Sequence, residues 1–235
     1  MTTTLITGAN KGLGFETARQ LVAAGHTVYI GARDPERGRR SAEQLGARFI
    51  QLDVTDDASV AAAVKAIEAD GGLDVLVNNA GIEPRKAGGG FIPATEVTAD
   101  SVRTVFETNV FGQVRMLHAF LPLLQRSAAP VVVNVSSGTS LMRDLVNPDS
   151  PAHFYPDIAY PSSKAAVNML TVQYSKAYPS VKINAVDPGF TATDLNHHAG
   201  IQTVEQGAQV IVRMAQIGPE GPTGGFFEAK GTIAW

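Results

Sequence analysis

Cysteine is missing from this sequence of 235 residues. Its absence excludes disulfide scaffolds, thiolate metal sites, cysteine nucleophiles and haem-attachment motifs, so any chemistry has to come from other side chains. An excess of one charge sign is also missing, because 19 basic and 22 acidic side chains leave a formal net charge of -3. No overall positive field is available to hold a nucleic-acid backbone or an anionic membrane, so we expect neither as a partner.

Long hydrophobic runs are absent too. No apolar run approaches the roughly 18–20 residues that cross a bilayer, and the start, Met1 to Thr7, lacks the basic residues and apolar stretch of a targeting signal. We therefore expect a cytoplasmic protein. The length allows one large domain or two small ones, and either can bury a full core.

Short apolar and β-branched runs alternate with stretches of helical spacing. The predicted strands are Thr4–Thr7, Thr27–Ile30, Arg48–Leu52, Leu73–Val77, Pro130–Val135 and Val181–Val186. The predicted helices are Gly14–Ala24, Pro35–Leu45, Asp57–Ala69, Ala99–Arg126 and Ile158–Tyr178. Because nearly all-apolar strands are covered on both faces, this pattern predicts the α/β class, with a parallel sheet between two helical layers.

No linker, charge block or repeat divides this alternation, which continues to about residue 216. We therefore predict a single doubly wound domain over residues 1–235, with a sheet of about seven strands. A last edge strand is expected at Gly224–Phe227, within a glycine-rich segment, 219–235, that we expect to fold onto the core.

Three segments lack the α/β rhythm, namely 82–97, 140–157 and 190–202. Each follows a predicted strand. Because ligands in open α/β sheets bind beyond the carboxyl ends of the strands, we expect these segments to border a pocket.

The first predicted strand leads into Thr7-Gly8-Ala9-Asn10-Lys11-Gly12-Leu13-Gly14 and then a helix. Glycine permits a tight turn and close approach of the backbone to a pyrophosphate, which the amides of a helix N-terminus can bind. The spacing is G-x-x-x-G-x-G rather than G-x-G-x-x-G, so a glycine-rich turn without a ligand is the alternative.

Tyr160 and Lys164 are spaced to lie side by side on one helix face. An adjacent ammonium favours the phenolate, so we expect the pKa of Tyr160 to fall toward the working range for acid–base catalysis. A solvated surface pair is the alternative. The strand Val131–Val135 ends in Ser136-Ser137, and Ser137 can hold a carbonyl oxygen or simply complete a turn.

Together with Asp53, Asn78–Gly81, Asn109 and Pro188–Gly189, these motifs resemble the short-chain dehydrogenase/reductase family, and especially its carbonyl reductases. The resemblance covers nearly the whole chain. It implies a Rossmann-type fold and hydride transfer between a nicotinamide cofactor and a carbonyl or alcohol substrate.

The resemblance also implies roles for four catalytic residues. Ser137 would hold the substrate oxygen while Tyr160 donates a proton. Lys164 would bind the nicotinamide ribose and lower the pKa of Tyr160, and Asn109 would position a water that relays protons to Lys164.

Further residues are expected to bind the cofactor. Together with Tyr160 and Lys164 they are Gly8, Asn10, Lys11, Gly12, Leu13, Gly14, Arg33, Asp53, Val54, Asn79, Ala80, Gly81, Pro188, Gly189, Thr191 and Thr193. Within this set, Asp53 and Val54 would meet the adenine, Asn79 to Gly81 the ribose region, and Pro188 to Thr193 the carboxamide. Asn78 is expected to brace neighbouring backbone, and a turn-capping role for Asp53 is the alternative.

The choice of cofactor follows from the end of the second strand. NAD enzymes of this fold usually carry an acidic residue there for the ribose 2′-hydroxyl, but this chain has Gly31-Ala32 followed by Arg33. A guanidinium pairs strongly with a 2′-phosphate, and Lys11 would lie nearby, so we predict NADPH over NADH. Asp34 is the counter-argument, and we expect it to point away or to cap the helix that begins at Pro35.

The stretch between Ser137 and Tyr160 is longer than is usual in the family, so we interpret 140–157 as an insertion that narrows the pocket or alters a subunit contact. Family members commonly form homodimers or homotetramers, and a monomer stays possible here. Adjacent His197 and His198 diverge in direction and lack a third ligand at helical spacing, so no metal site is predicted.

The leading hypothesis is an NADPH-dependent carbonyl reductase acting on a small or medium-sized ketone or aldehyde. One alternative is a redox-sensing regulator that binds NADP(H) without turnover. Another is a 3-oxoacyl-carrier reductase, which would need a basic surface at the pocket mouth, where only Arg85, Lys86 and Arg143 are candidates.

Overall fold

The computed structural model describes residues 1–86 and 88–235, and one sheet of eight strands runs through it. The strands are β1 (Thr3–Thr7), β2 (Thr27–Ala32), β3 (Arg48–Gln51), β4 (Val75–Asn78), β5 (Val131–Val135), β6 (Lys182–Val186), β7 (Phe226–Glu228) and β8 (Gly231–Ile233). The helices are α1 (Gly12–Ala23), α2 (Pro35–Leu45), α3 (Asp57–Ala69), α4 (Ala99–Phe106), α5 (Gly112–Leu124), α6 (Met142–Val146), α7 (Ala159–Ala177) and α8 (Val204–Ala215).

The strand order is β3-β2-β1-β4-β5-β6-β7-β8, and only the β7–β8 pair is antiparallel. The chain therefore builds the sheet outward in two directions from β1 and β4. In such sheets a crevice opens beyond the carboxyl ends of the strands at the point where the order reverses. The predicted doubly wound α/β fold is confirmed.

The core forms two layers because side chains alternate along each strand. Leu5, Leu76 and Val132 face α3 and α5 in one layer. Their neighbours Ile6 and Val77 face α1 and α8 in the other. The central strands are therefore apolar on both faces, which is why their sequences lack a polar alternation.

The predicted helix Ala99–Arg126 is interrupted. A wider π-helical turn, Glu107–Phe111, separates α4 from α5. Such turns accommodate one extra residue and are frequent at functional sites. Hydrophobic periodicity over a window of two or three turns does not register a single added residue, so the sequence indicated one continuous helix.

The C-terminal strand is present as β7, but it is not the edge of the sheet because β8 pairs beyond it. Phe226 is fully buried, and the Trp235 ring stacks on it with centroids 5.4 Å apart. The segment thus folds onto the core as expected. The eighth strand, Gly231–Ile233, is too short to show a strand pattern in sequence.

Within the described residues, no helix combines the length and apolar character required to cross a membrane.

Candidate active site

A cleft of about 1190 Å³ opens beyond the carboxyl ends of the central strands. All three irregular segments border it, for example through Phe91, Tyr155 and Leu195. The expectation that these segments line a pocket therefore agrees with the structure.

The glycine turn between β1 and α1 forms one wall of the cleft. Gly8 and Gly12 have backbone φ values of 65° and 58°, which residues other than glycine adopt only with strain. A Cβ atom on Gly8 would also lie only 3.0 Å from the Cα of Ala80. Helix α1 begins at Gly12 without a side-chain cap and without an acidic residue in its first turn. Its first amides are therefore available to an anion in the cleft.

A hydrogen-bond network joins this turn to the end of β4. The Thr7 hydroxyl accepts bonds from the backbone amides of Asn79 and Ala80 at 3.0 and 2.9 Å. The Asn79 side-chain nitrogen donates to the carbonyls of Thr7 and Gly8 at 2.8 and 3.2 Å. Asn79 lines the cleft, yet its nitrogen holds the glycine turn in place, a role that sequence reasoning missed.

Neighbouring asparagines brace the sheet. Asn78 donates to the side-chain oxygen of Asn134 at 2.9 Å, so it braces the neighbouring strand through a side chain rather than, as predicted, through the backbone.

The end of β2 carries the residues that bear on cofactor choice. Arg33 is exposed at the cleft, and no acidic side chain in the described part of the chain forms an ion pair with it. Asp34 accepts bonds from the amides of Glu36 and Arg37 at 3.0 and 3.1 Å, so it caps α2 as predicted. The Lys11 ammonium lies 2.7 Å from the Asp194 carboxylate, a partner the sequence did not indicate.

Asp53 and Val54 also line the cleft. One oxygen of Asp53 accepts bonds from the amide and hydroxyl of Thr55 at 2.9 and 2.7 Å. The turn-capping alternative is therefore confirmed for this oxygen.

The catalytic candidates lie across the cleft from the glycine turn. Tyr160 is in the first turn of α7, and the Lys164 nitrogen lies 5.5 Å from its ring centroid. Lys164 is only 3% exposed and donates to the Val135 carbonyl at 2.7 Å. Ser137 follows β5, and its hydroxyl accepts from the Thr139 amide at 3.2 Å while also facing the Tyr160 phenol. The solvated-pair alternative is therefore wrong.

Burial sets the ionisation of both groups. It raises the pKa of Tyr160, and the carboxylates of Glu83 and Asp187 raise it further, against the Ser137 hydroxyl and Arg85. The expectation that the pKa of Tyr160 falls below its ordinary value is wrong for this arrangement, because desolvation and the two carboxylates dominate. Burial also lowers the pKa of Lys164 to about 8. An ordinary phenol is already protonated at neutral pH, and the raised pKa keeps Tyr160 in that form, which can donate a proton.

Asn109 lies in the π-helical turn and is fully buried. Its side-chain oxygen accepts from the Ile82 amide at 2.8 Å, and its nitrogen donates to the Ile82 carbonyl and the Ser163 hydroxyl, both at 3.0 Å. A Cβ atom on Gly81 would lie 3.4 Å from this oxygen and 3.7 Å from the Lys164 nitrogen. Asn109 therefore fixes the backbone beside Lys164.

The segment after β6 closes the other end of the cleft. Pro188, Gly189, Thr191 and Thr193 all line it. Thr193 approaches the glycine turn, since a Cβ atom on Gly12 would lie 3.6 Å from its methyl group. The Nε2 atom of His198 lies 2.9 Å from a carboxylate oxygen of Asp194, so His198 joins the exposed Lys11–Asp194 pair.

Comparison with known proteins decides the family. The family model described as short chain dehydrogenase matches residues 2–203. This chain belongs to the short-chain dehydrogenase family. It is 33% identical to a (+)-neomenthol dehydrogenase of Arabidopsis thaliana, over 96% of this chain and 95% of that protein.

Solved structures agree with this placement. The salutaridine reductase of Papaver somniferum has a TM-score of 0.81 at 26% identity, covering 97% of this chain and 100% of its own. The carbonyl reductase Sniffer of D. melanogaster has a TM-score of 0.83 at 25% identity, covering 100% of both chains.

Two charged cleft residues of this short-chain dehydrogenase were not named by the sequence prediction, namely Glu83 and Asp187. They lie in the irregular segments or just after β6, where no periodicity indicates burial. Asp187 accepts bonds from the backbone amides of Gly138 and Gly189, and burial raises its pKa. The sequence feature that could have indicated Asp187 is its position as an acidic residue directly between an apolar strand and Pro188-Gly189.

Proposed function

We propose that this short-chain dehydrogenase is an NADPH-dependent carbonyl reductase, which interconverts a carbonyl and an alcohol with Tyr160 as the acid–base group. The observation that carries the proposal is that Ser137, Tyr160 and Lys164 share one cleft with an uncapped, glycine-lined helix N-terminus. The family uses nicotinamide cofactors, and the cleft offers an anion site at one end and proton chemistry at the other.

The residues present fit such a cofactor. The first amides of α1 would hold the pyrophosphate because no side chain occupies them. Lys164 would bind the nicotinamide ribose. The residues that the sequence analysis assigned to the adenine, the ribose region and the carboxamide all line the same cleft. When bound, the nicotinamide supplies or accepts the hydride.

The protein's own side chains, Ser137, Tyr160 and Lys164, carry out the proton transfer. Ser137 donates a hydrogen bond to the substrate oxygen and holds it beside the phenol. Tyr160, a protonated phenol at neutral pH, gives that oxygen its proton during reduction. The Lys164 ammonium stabilises the negative charge that develops at the phenol oxygen. Asn109 keeps the backbone at Gly81 and Ile82 in position beside Lys164.

Preference for NADPH rests on the environment of Arg33. Its guanidinium lies at the cleft without an acidic partner among the described residues, whereas the nearby Asp34 carboxylate is engaged in capping α2. Lys11 is held by Asp194, but this pair is more than half exposed, so a 2′-phosphate can compete for the ammonium.

The alternatives find less support. A regulator that only senses the cofactor does not need the hydroxyl, phenol and ammonium set. A carrier-bound substrate would need free basic side chains at the mouth of the cleft. Instead Arg85 pairs with Glu83, Lys86 with Glu96 and Arg143 with Asp144.

The test is oxidation of NADPH and NADH at matched concentration with cyclic ketones, aromatic aldehydes and quinones. We expect turnover with NADPH, and a loss of at least about 100-fold in Tyr160→Phe with unchanged NADPH binding. Retained turnover in Tyr160→Phe would contradict the proposed proton donor.

Arg33→Ala tests the cofactor preference. We expect NADPH binding to weaken about 10-fold or more and NADH binding to stay constant, because only the 2′-phosphate is affected. Arg40→Ala, an exposed arginine on α2 outside the cleft, is the matched control. Equal losses for both cofactors would refute the assignment.

A further inference from the structure

The substrate end of the cleft contains a buried ion pair that the mechanism above leaves without a role. A carboxylate oxygen of Glu83 lies 2.9 Å from a guanidinium nitrogen of Arg85, and the two side chains are only 4% and 8% exposed. Removing two charges from water costs several kcal/mol per ion, so a buried pair is weak evidence for stability alone. A functional role is the better explanation for its position.

Two aromatic residues complete what we call the Glu83 cluster, formed by Glu83, Arg85, Phe91 and Tyr155. The Arg85 guanidinium stacks on the Phe91 ring, 3.7 Å from its centroid. Phe91 meets Tyr155 edge to face with centroids 4.9 Å apart. The Tyr155 hydroxyl donates to the second carboxylate oxygen of Glu83. Glu83 thus ties the inserted segment, through Tyr155, to the segment after β4.

The Glu83 cluster lies directly against the catalytic tyrosine. The rings of Tyr155 and Tyr160 are 6.5 Å apart. Three charged side chains act on Tyr160, namely Glu83, Asp187 and Arg85. Glu83 and Asp187 also act on Lys164, while Asp157 and the Lys164 ammonium act on Glu83. Glu83 raises the pKa of both Tyr160 and Lys164, whereas Arg85 lowers that of Tyr160.

We propose that Glu83 and Arg85 are positioning residues for the proposed reduction: Glu83 holds Tyr155 of the inserted segment beside Tyr160, and the opposite charges of the pair together set the electrostatic potential at its phenol oxygen. The inference rests on the proposed function because it concerns the same proton donor. The inserted segment, 140–157, thereby closes the substrate side of the cleft around Tyr160.

The charge part is tested by the pH dependence of kcat/KM for NADPH-driven reduction, with the panel compound that turns over fastest. Glu83→Gln keeps the shape but leaves Arg85 unpaired. Because Glu83 raises the pKa of Lys164, whose loss of charge lowers kcat/KM at high pH, the high-pH limb of the profile should move down by about 0.5–1 pH unit. Adding Arg85→Met in the same chain removes the remaining cation and should move the limb back up. General damage to packing would accumulate in the double variant rather than cancel.

The positioning part is tested without any substrate, by amide hydrogen exchange. Tyr155→Phe removes the bond to Glu83 and keeps every charge. We expect exchange of the His153 and Tyr155 amides, which donate to Ser150 and Ala152 at 3.0 Å, to accelerate about tenfold. KM should rise more than kcat falls, and the pH limb should stay in place.

Tyr29→Phe is the matched control. The Tyr29 hydroxyl also bonds a carboxylate, Asp70 at 2.5 Å, and is flanked by Arg48, but it lies outside the cleft. This variant should leave exchange in the inserted segment, KM and the pH limb unchanged.

The outcomes separate the two proposals. An unmoved pH limb in a folded Glu83→Gln, or unchanged exchange in Tyr155→Phe, overturns the inference while loss of activity in Tyr160→Phe still supports the reductase. Should Glu83→Gln fail to fold, the Tyr155→Phe exchange result decides. Full activity in Tyr160→Phe would overturn the proposed function itself.

Discussion

Replacing Lys164 with methionine should stabilise the protein at neutral pH, because the ammonium is buried at a cost. Burial lowers the pKa of Lys164 from 10.5 to about 8. Each pKa unit corresponds to about 1.4 kcal/mol, so the charged side chain costs the folded state about 3 kcal/mol at pH 7. Methionine has a similar length and no charge. It leaves the Val135 carbonyl without its donor, which costs about 1 kcal/mol.

The expected net gain is therefore about 2 kcal/mol at pH 7. Its pH dependence has a definite sign. Between the folded pKa of about 8 and the ordinary value of 10.5, the unfolded wild-type chain binds more protons than the folded one, so wild-type stability rises with pH. The advantage of Lys164→Met should consequently shrink to below about 1 kcal/mol at pH 9.5.

Urea unfolding of both proteins from pH 7 to 9.5 measures this difference, provided that the dependence on urea is the same for both. Lys176→Met makes the same change at an exposed position of α7 and should show no such pH dependence. A stability difference that is constant with pH, or a Lys164→Met protein less stable than wild type at pH 7, would refute the argument from burial.

Three further predictions follow from the site. Thr7→Val should lower the free energy of unfolding by about 2–4 kcal/mol in urea titrations, because it leaves the amides of Asn79 and Ala80 without a hydrogen-bond acceptor. Thr7→Ser keeps the acceptor and should lower this free energy by only about 1 kcal/mol, so equal losses for the two variants would contradict the network. Asp34→Ala should cost about 1 kcal/mol as a lost helix cap without changing the ratio of NADPH to NADH affinity, and a shift toward NADPH would mean that Asp34 faces the ribose. In wild type, kcat/KM for reduction should fall as the pH rises through about 8, where Lys164 loses its charge, and a flat profile to pH 10 would show that this charge is not needed.

The motifs that sequence located correctly are local ones. The alternation of apolar strands and helices predicts the doubly wound sheet because each strand buries both faces. Tyr160 and Lys164 meet because four residues make about one helical turn. The glycine turn needs its glycines for the backbone angles at Gly8 and Gly12. These features depend on neighbours in sequence, so a pattern can reveal them.

The remaining features depend on contacts between distant parts of the chain. Glu83 and Tyr155 are 72 residues apart, and no periodicity links them. The direction of the pKa change at Tyr160 was wrong from sequence, because the Tyr160–Lys164 spacing reveals one neighbouring charge but neither the depth of burial nor the carboxylates of Glu83 and Asp187. The sequence thus determined the local motifs of the cleft, namely the glycine turn and the Tyr160–Lys164 pair. Tertiary structure decided their protonation, because desolvation and charge at close range exist only after the segments pack together.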